Sequence, residues 1–362
     1  MTRFLLVRLG GALLSIVAAS MLAFVLMRLV PGDPARQVLG QFATPDQLAA
    51  FRADNGLDGS IVEQYGRFVG NFVQGDWGTS FASGAPVRQL IGQRLPATIE
   101  LVLVAFAGAV ASALALALVS TYRPRAWLDR LVSGIAFVGM GTPPFWLGLL
   151  CLAVFFQQTH LLPGPDGRIS PDLAPFPDRT GFMTLDALLA GRLDAFGSAV
   201  SHLLLPAFVL GFAMFAFLVR VLRASLLEVA DEPFIAAAQC KGLSRWQAFT
   251  RHALPNAALP ALTASGLVLG QLLTGSVLVE AVFDWPGIGG LVVHGIANKD
   301  YTVVQIFVLL SAVLYVSVNL LVDLLAAALD PRISLHAGTR RRRRDAPRAA
   351  AAAPPTARSE GA

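Results

Sequence analysis

Residues 236–260 read AAAQCKGLSRWQAFTRHALPNAALP, a basic stretch between two long apolar segments. A link that only joined two membrane helices could be much shorter and would not need helix signals of its own. This stretch has three adjacent alanines, Ala236, Ala237 and Ala238, followed by a glycine and later by two prolines. The alanines would give one helix a smooth face that another protein could approach closely. The stretch therefore predicts a folded docking element.

Local signals divide this element into two short helices. Asp231 is the predicted N-cap of the first, with proline in its first turn, and Gly242 is the predicted C-terminal stop. Ser244 with Gln247 three residues later is a capping-box pattern that predicts the start of the second helix. Pro255 is predicted to end that second helix. The segment 231–256 is thus predicted to be helix–turn–helix.

The rest of the chain predicts a membrane protein. Only 14% of its residues are charged, whereas about 25% is typical of soluble domains. Six apolar runs approach or exceed the ~20 residues that span a bilayer, and the first is too long for a signal-peptide core. The fold class is therefore predicted to be an all-α polytopic membrane protein with six transmembrane helices. The runs cover residues 9–30, 97–119, 131–156, 203–221, 259–282 and 303–329. Pro143 and Pro144 predict a kink or break in the third.

Arginine placement predicts the orientation. Arginines concentrate in the link after the second run, in the link after the fourth and in the C-terminal tail, while alternate links are acidic or balanced. The positive-inside rule then places both termini and the 231–256 loop in the cytoplasm. The predicted organisation is an N-terminal transmembrane helix (1–30), an external loop with helices (31–96), a transmembrane core (97–333) and a disordered basic cytoplasmic tail (334–362).

Several motifs resemble one family of transport proteins. Ala237-Ala238-x-x-x-Gly242, then eleven residues to Leu254-Pro255, resembles the E-A-A-x-x-x-G…L-P loop of ATP-binding-cassette importer permeases. Ala236 occupies the glutamate position of that loop. Further stretches, covering the chain to about residue 333, resemble the dipeptide/oligopeptide/nickel branch of the family. They lie at 28–35, 64–81, 96–101, 142–146, 279–293, 300–305 and 319–333.

The resemblance implies a function and a set of partners. The chain would be one membrane subunit of an importer, working with a second homologous permease, two ATPase subunits and an external solute-binding protein. It implies di- or oligopeptides as substrate, with nickel, glutathione or other small solutes as alternatives. ATP and Mg²⁺ would be bound by the ATPase subunits, with no cofactor on this chain. The implied ATPase-coupling residues are Ala236, Ala237, Ala238, Gly242, Leu254 and Pro255.

Other functions lack support in the sequence. The only lysines, Lys241 and Lys299, are followed by Gly242 and Asp300, whereas a phosphate-binding loop needs Gly-Lys-Ser/Thr. The five histidines have no metal-ligand spacing, no catalytic constellation stands out, and the basic residues flank apolar runs instead of forming a nucleic-acid surface. An ion-coupled secondary transporter, the remaining alternative, would need ionisable groups near the middle of several spans.

Two carboxylates near the end of the fifth run, Glu280 and Asp284, have two interpretations. They could line the substrate path or bind a peptide amine, because carboxylates at membrane depth are often functional. The favoured interpretation is that they lie in the interface, solvated, and cap the turn of the DWPGIGG sequence. In the last run, Asn319 and Asp323 are predicted to pair with Arg220 or Arg223.

Overall fold

The computed structural model describes residues 2–29, 34–40, 42–54, 56, 58–123, 125–173, 176 and 179–329, and within these residues the chain is helical without a β-sheet. The predicted tail, 334–362, lies outside the described residues. The α-helices are α1 (Thr2–Leu29), α2 (Pro34–Leu39), α3 (Pro45–Asp54), α4 (Ile61–Gln74), α5 (Val87–Tyr122), α6 (Ala126–Gly141), α7 (Pro144–Cys151), α8 (Met183–Leu189), α9 (Leu193–Ala230), α10 (Pro233–Cys240), α11 (Arg245–Ala248), α12 (Leu254–Val282), α13 (Ile288–Ala297) and α14 (Tyr301–Leu329). Leu152–Gln158 and Phe249–Ala253 are π-helical, and Pro171–Leu173 is a 3₁₀ turn.

Five of these helices, α1, α5, α9, α12 and α14, are long and apolar enough to cross a membrane. The pair formed by α6 and by α7 with its π-helical extension is also apolar enough, and its two parts are bent by 106° relative to each other, as in a broken sixth span or a re-entrant loop. The bend lies at Thr142 and Pro143, which are extended, because the residue before a proline is disfavoured in helical conformation. The predicted all-α fold and the predicted break are confirmed.

The helices are longer than their apolar runs. The second crossing begins at Val87, ten residues before the run at 97, and passes through Pro96 without ending.

Within the predicted external loop, α4 begins with a capping box between Ser60 and Glu63 and ends at Gly75 in a left-handed conformation.

The centre of the bundle is the contact between α5 and α9. Along α5, alanines at every fourth position, Ala105, Ala109, Ala113 and Ala117, are buried in the main core. A Cβ on Gly211 of α9 would lie 2.8 Å from the carbonyl oxygen of Ala105. Small side chains of this kind let membrane helices approach closely.

Helix α5 runs the length of the bundle and contacts different segments at its two ends. Thr98 and Tyr122 of α5 are 24 residues apart, so they are separated by about 36 Å along the helix, slightly more than the ~30 Å of a hydrocarbon core. Tyr122 contacts Trp246 and Phe249 at one end, hereafter the 231–256 end. Thr98 contacts Glu280 at the other, hereafter the opposite end.

The predicted pairing of Asn319 with Arg220 or Arg223 is wrong. Arg223 of α9 forms an ion pair with Asp129 of α6, and the side-chain amide of Asn319 donates to the carbonyl of Tyr315 in its own helix. The side chain of Asp323 lies outside the description. Sequence alone could not reveal that α6 supplies the carboxylate beside Arg223.

Candidate functional site: the 231–256 segment

The first helix of the segment, α10, starts differently from the prediction. Asp231 is not its N-cap but the residue that ends α9, with φ −86° and ψ −2°. Glu232 occupies the N-cap position and makes no side-chain capping bond. Pro233 is the first residue of α10, where its fixed φ favours the helix and its missing N–H costs nothing. The proline thus starts the helix without a capping side chain.

Gly242 ends α10 as predicted. Its φ is +93°, a left-handed conformation in which a Cβ is unfavourable. The N–H of Gly242 donates to the carbonyl of Gln239 at 2.9 Å, and that of Leu243 donates to the carbonyl of Ala238 at 3.3 Å. This pair of bonds is a Schellman motif. A Cβ at Gly242 would meet no atom within 4 Å, so the requirement for glycine is conformational.

The second helix begins as predicted but does not end at Pro255. Ser244 and Gln247 form both bonds of the capping box, at 3.1 and 3.2 Å. After α11, the chain continues through the π-helix Phe249–Ala253 directly into α12. Pro255 is the second residue of α12 and occupies its first turn, which tolerates proline. Residues 245–282 are therefore one continuous helical run, so a displacement of α11 would be transmitted to a membrane-spanning helix.

The inner side of the segment is anchored to the bundle. Ile235, Ala248 and Phe249 are buried in the main core. Tyr122, at the end of α5, packs edge-on against Trp246 with ring centroids 5.0 Å apart. The guanidinium of Arg245 lies 5.5 Å from the Tyr122 ring centroid, within the distance of a cation–π interaction. These contacts fix the segment against α5.

The outer side of the segment is exposed and carries apolar residues, several of them small, beside polar ones. On α10 and its cap the exposed residues are Pro233, Phe234, Ala236, Ala237, Gln239, Cys240, Lys241 and Gly242, and Ala238 is half-buried. Phe234 and Trp246 keep 44% and 49% of their surface exposed. Large aromatic side chains of this kind often anchor protein interfaces. Leu254 is half-buried and Pro255 exposed at the start of α12. The segment therefore combines a rigid attachment with an uncovered, alanine-rich face on α10.

At the opposite end, Glu280 caps a turn but is not solvated as expected. It is 1% exposed and accepts hydrogen bonds from the Thr98 hydroxyl at 2.8 Å and from the N–H groups of Gly289 and Gly290 at 2.6 and 3.3 Å. A Cβ on Gly289 would lie 2.6 Å from the Glu280 carboxylate. Asp284 is exposed, with a left-handed φ of +47°. The two residues therefore have different environments.

Sequence reasoning missed the partners of Glu280. The Thr98 hydroxyl also accepts the N–H of Ile288 at 2.9 Å. The Trp285 indole, which is buried, donates to the carbonyl of Ala97 at 2.9 Å. These bonds join α5 to the turn between α12 and α13. The residues lie in the stretches 96–101 and 279–293 that carry the family resemblance, which was the only available signal.

Other buried carboxylates fasten the loops at this end. Glu100 forms an ion pair with Arg168 and accepts the N–H and hydroxyl of Thr184 at 2.9 and 2.6 Å, so it caps α8. Asp300 accepts the Ser80 hydroxyl at 2.5 Å and caps α14 through the N–H of Val303 at 3.3 Å. Each carboxylate joins two distant parts of the chain.

Asp186 in α8 closes a tight local turn. It accepts bonds from the N–H groups of Arg179, Thr180 and Gly181 and from the Thr180 hydroxyl. Burial alone would raise the pKa of Asp186, but these hydrogen bonds to its charged form outweigh burial and lower the pKa below its usual value.

The described residues contain neither a metal-binding cluster nor a disulfide bond. No group of three or more histidine, cysteine, aspartate or glutamate side chains there could hold a metal ion. Cys151 is buried and Cys240 is exposed, and neither forms a disulfide.

Comparison with known proteins places the chain in a family. The family model described as binding-protein-dependent transport system inner membrane component matches residues 109–335, and the corresponding N-terminal model matches residues 1–102. The chain belongs to this family. It is therefore a multi-pass membrane component of a transport system, which confirms the resemblance seen in the motifs.

The curated proteins similar to this chain include the following permeases. The probable D,D-dipeptide transport system permease DdpB of Escherichia coli K12 is 39% identical over 91% of this chain and 97% of its own length. The dipeptide transport system permease DppB of the same strain is 36% identical over 92% and 99%. The di/tripeptide transport system permease DppB of Pseudomonas aeruginosa UCBPP-PA14 is 37% identical over 92% and 99%.

Proposed function

We propose that this permease is one of two membrane subunits of an ATP-driven importer for di- and oligopeptides. The family assignment supports the transport role, and the names of the similar permeases support peptides as the substrate class. An external binding protein delivers the peptide, and a second homologous permease completes the translocation path. ATP and Mg²⁺ are bound by two separate ATPase subunits.

The uncovered face of α10 carries the docking part of this proposal. A surface with exposed alanines, Phe234 and Trp246 fits a groove on another protein, since small residues allow close approach and aromatic residues anchor interfaces. The Gly242 turn fixes α10 relative to α11. Because α11 continues into α12, closure of the ATPase dimer moves α12 and changes access to the path.

The arginine pattern supports the orientation within a bacterial inner membrane. Both termini and the 231–256 end face the cytoplasm, where the ATPases are. The opposite end faces outward and receives the binding protein.

Peptides are preferred over the alternatives for specific reasons. The same machinery could import nickel, glutathione or other small solutes, but the similar permeases are named for dipeptides or for di- and tripeptides. An ion-coupled secondary transporter would leave the exposed face of α10 without a role.

Purification followed by reconstitution tests the proposal. The chain is isolated from its native membranes in mild detergent, and co-purifying proteins are identified. The complex is then placed in liposomes with ATP on the ATPase side, and uptake of a labelled dipeptide is measured with and without the binding protein. We expect a second permease and ATPases to co-purify, and uptake to require both ATP and the binding protein. Competition by Ni²⁺ or glutathione would indicate an alternative substrate, and uptake by the chain alone without ATP would contradict the proposal.

A further inference from the structure

A groove between α6 and α9 opens on the surface of the bundle near the 231–256 end. Its volume is about 670 Å³, and its walls include Arg220, Arg223, Ser133, Phe137 and Met140. We propose that this groove binds one anionic phospholipid, with the phosphate beside Arg220 and Arg223 and an acyl chain along Phe137 and Met140. The proposal requires only that the chain spans a membrane and is independent of the transported solute.

The way α6 and α9 pack separates the charged and the apolar side chains along the groove. Asp129 of α6 pairs with Arg223 of α9 nearest the 231–256 end. Deeper in the membrane, a Cβ on Gly139 would lie 2.5 Å from the Cβ of Ala216, so the two helices are in close contact there. Met140 follows Ser133 by seven residues, about 10 Å along α6. Ala224 and Leu227 line the groove still nearer that end, so its charged part is a band around Arg220 and Arg223, with the apolar Phe137 and Met140 deeper in the membrane.

The charges at the mouth leave capacity for an anion. Arg220 is exposed and has no ion-pair or hydrogen-bond partner within the described part of the chain. Arg223 binds Asp129 through Nη2 and its Nε is buried, so Nη1 is the terminal nitrogen left for an anion. Two guanidinium groups and one carboxylate give the groove a net positive charge. A phosphate could accept hydrogen bonds from both arginines, and guanidinium geometry matches phosphate well.

The deeper part of the groove suits an acyl chain. Phe137 is 84% exposed and Met140 is 51% exposed, so their side chains are uncovered by the protein at a depth where only apolar groups are favourable. Trp127, exposed on the first turn of α6, is typical of the membrane–water interface and indicates the level of the headgroups.

A lipid fits the groove better than a protein helix. A partner helix would have to place an acidic side chain beside Arg220 and apolar side chains one to two turns deeper. An anionic phospholipid already has this order of groups and is abundant in bacterial membranes. Basic pockets between membrane helices near the cytoplasmic side are known to bind anionic lipid headgroups.

Lipid retention tests the proposal. The full-length permease, with any subunits that co-purify, is placed in nanodiscs of phosphatidylcholine with a minor fraction of phosphatidylglycerol, and retained phosphatidylglycerol is counted by native mass spectrometry. Arg220→Gln is compared with Arg130→Gln, which removes the same charge from an exposed position of α6 that does not line the groove. We expect Arg220→Gln to weaken retention of one phosphatidylglycerol about tenfold, and Arg130→Gln to leave it unchanged. We expect Phe137→Ala to weaken it by a smaller factor.

Three results would overturn the proposal. Equal retention by both arginine variants would show only general attraction of anionic lipid to a basic surface. Dependence on Arg220 without dependence on Phe137 would indicate an anion site that does not hold a lipid chain. Loss of a protein subunit from the Arg220→Gln complex, with lipid retention unchanged, would identify the groove as a subunit interface.

Discussion

The two ends of the bundle differ in which side chains they bury and which they expose. At the opposite end, Glu280, Glu100 and Asp300 are buried and each satisfies hydrogen-bond donors from distant parts of the chain. At the 231–256 end, α10 exposes Phe234 and a row of alanines. A buried network that satisfies itself fixes structure, whereas an exposed apolar face is typical of a surface that binds a partner. This difference supports the proposal that the 231–256 end contacts another protein, whereas the buried carboxylates of the opposite end hold the chain to itself.

Removing the Glu280 carboxylate should have the largest effect. Glu280→Ala leaves the Thr98 hydroxyl and the N–H groups of Gly289 and Gly290 without their acceptor, so we expect a loss of about 3–5 kcal/mol in stability. Thermal unfolding of the purified permease in detergent measures the change. Asp284→Asn, four residues away and exposed, is the matched control and should unfold at nearly the wild-type temperature. Similar losses in both variants would contradict the distinction between these carboxylates.

A change at Gly242 should act on function more than on global stability. A β-branched side chain is disfavoured at φ +93°, so Gly242→Val should destabilise the turn by about 1–2 kcal/mol, roughly a tenfold loss of the correct α10 geometry. We expect reduced ATP-dependent uptake with normal membrane insertion. Gly242→Asn is the control, because asparagine tolerates the left-handed conformation, and it should retain most uptake. Full uptake by Gly242→Val would argue against a coupling role.

Loss of the Trp246 ring should have a smaller effect. Trp246→Ala removes the edge-on contact with Tyr122, worth about 0.5–1.5 kcal/mol, and an exposed anchor of the proposed interface. Trp127→Ala removes another exposed indole, outside the segment. Binding of the ATPase subunits, measured by co-purification, should weaken for Trp246→Ala and stay normal for Trp127→Ala. Equal binding by both variants would exclude Trp246 from the interface.

The smallest expected effect is a local pH dependence near Asp186. Because its pKa is lower in the folded protein, its hydrogen bonds stabilise the 179–186 turn at pH values above about 4, and this contribution is lost as the pH falls through the lowered pKa. Limited proteolysis of the loop with an acid-stable protease, at a series of pH values, should show increased cleavage below that point. The wild-type pH dependence should disappear in Asp186→Asn, and a persistent dependence would implicate another group.

Local signals in the sequence predicted much of the fold and part of the site. The apolar runs identified the apolar helices, Pro143 and Pro144 identified the break, and Gly242 and Ser244 identified the turn within the 231–256 segment. These features depend on a few neighbouring residues. The exposed face of α10 follows from the same kind of signal, because its alanines and its turn are adjacent in sequence, and docking by this face stays a prediction.

The errors arose where tertiary context decides between local alternatives. A proline such as Pro255 can follow the end of one helix or occupy the first turn of the next, and the sequence does not distinguish these positions. Asp231 could cap a new helix or end the previous one. The bond between Thr98 and Glu280 spans 182 residues, and no periodicity indicates that these side chains meet. Burial of Glu280 therefore required the structure.

Labelling of Cys240 is the most direct test that the exposed face of α10 binds the ATPases. The described residues include two cysteines, exposed Cys240 on α10 and buried Cys151, so a bulky maleimide should modify the folded permease mainly at Cys240. Its rate of labelling is compared before and after addition of the ATPase subunits, with Cys240→Ser as the control for reaction at other sites. The account predicts at least tenfold slower labelling of Cys240 in the assembled complex. An unchanged rate in a complex shown to contain the ATPases would place their binding site elsewhere and contradict the account.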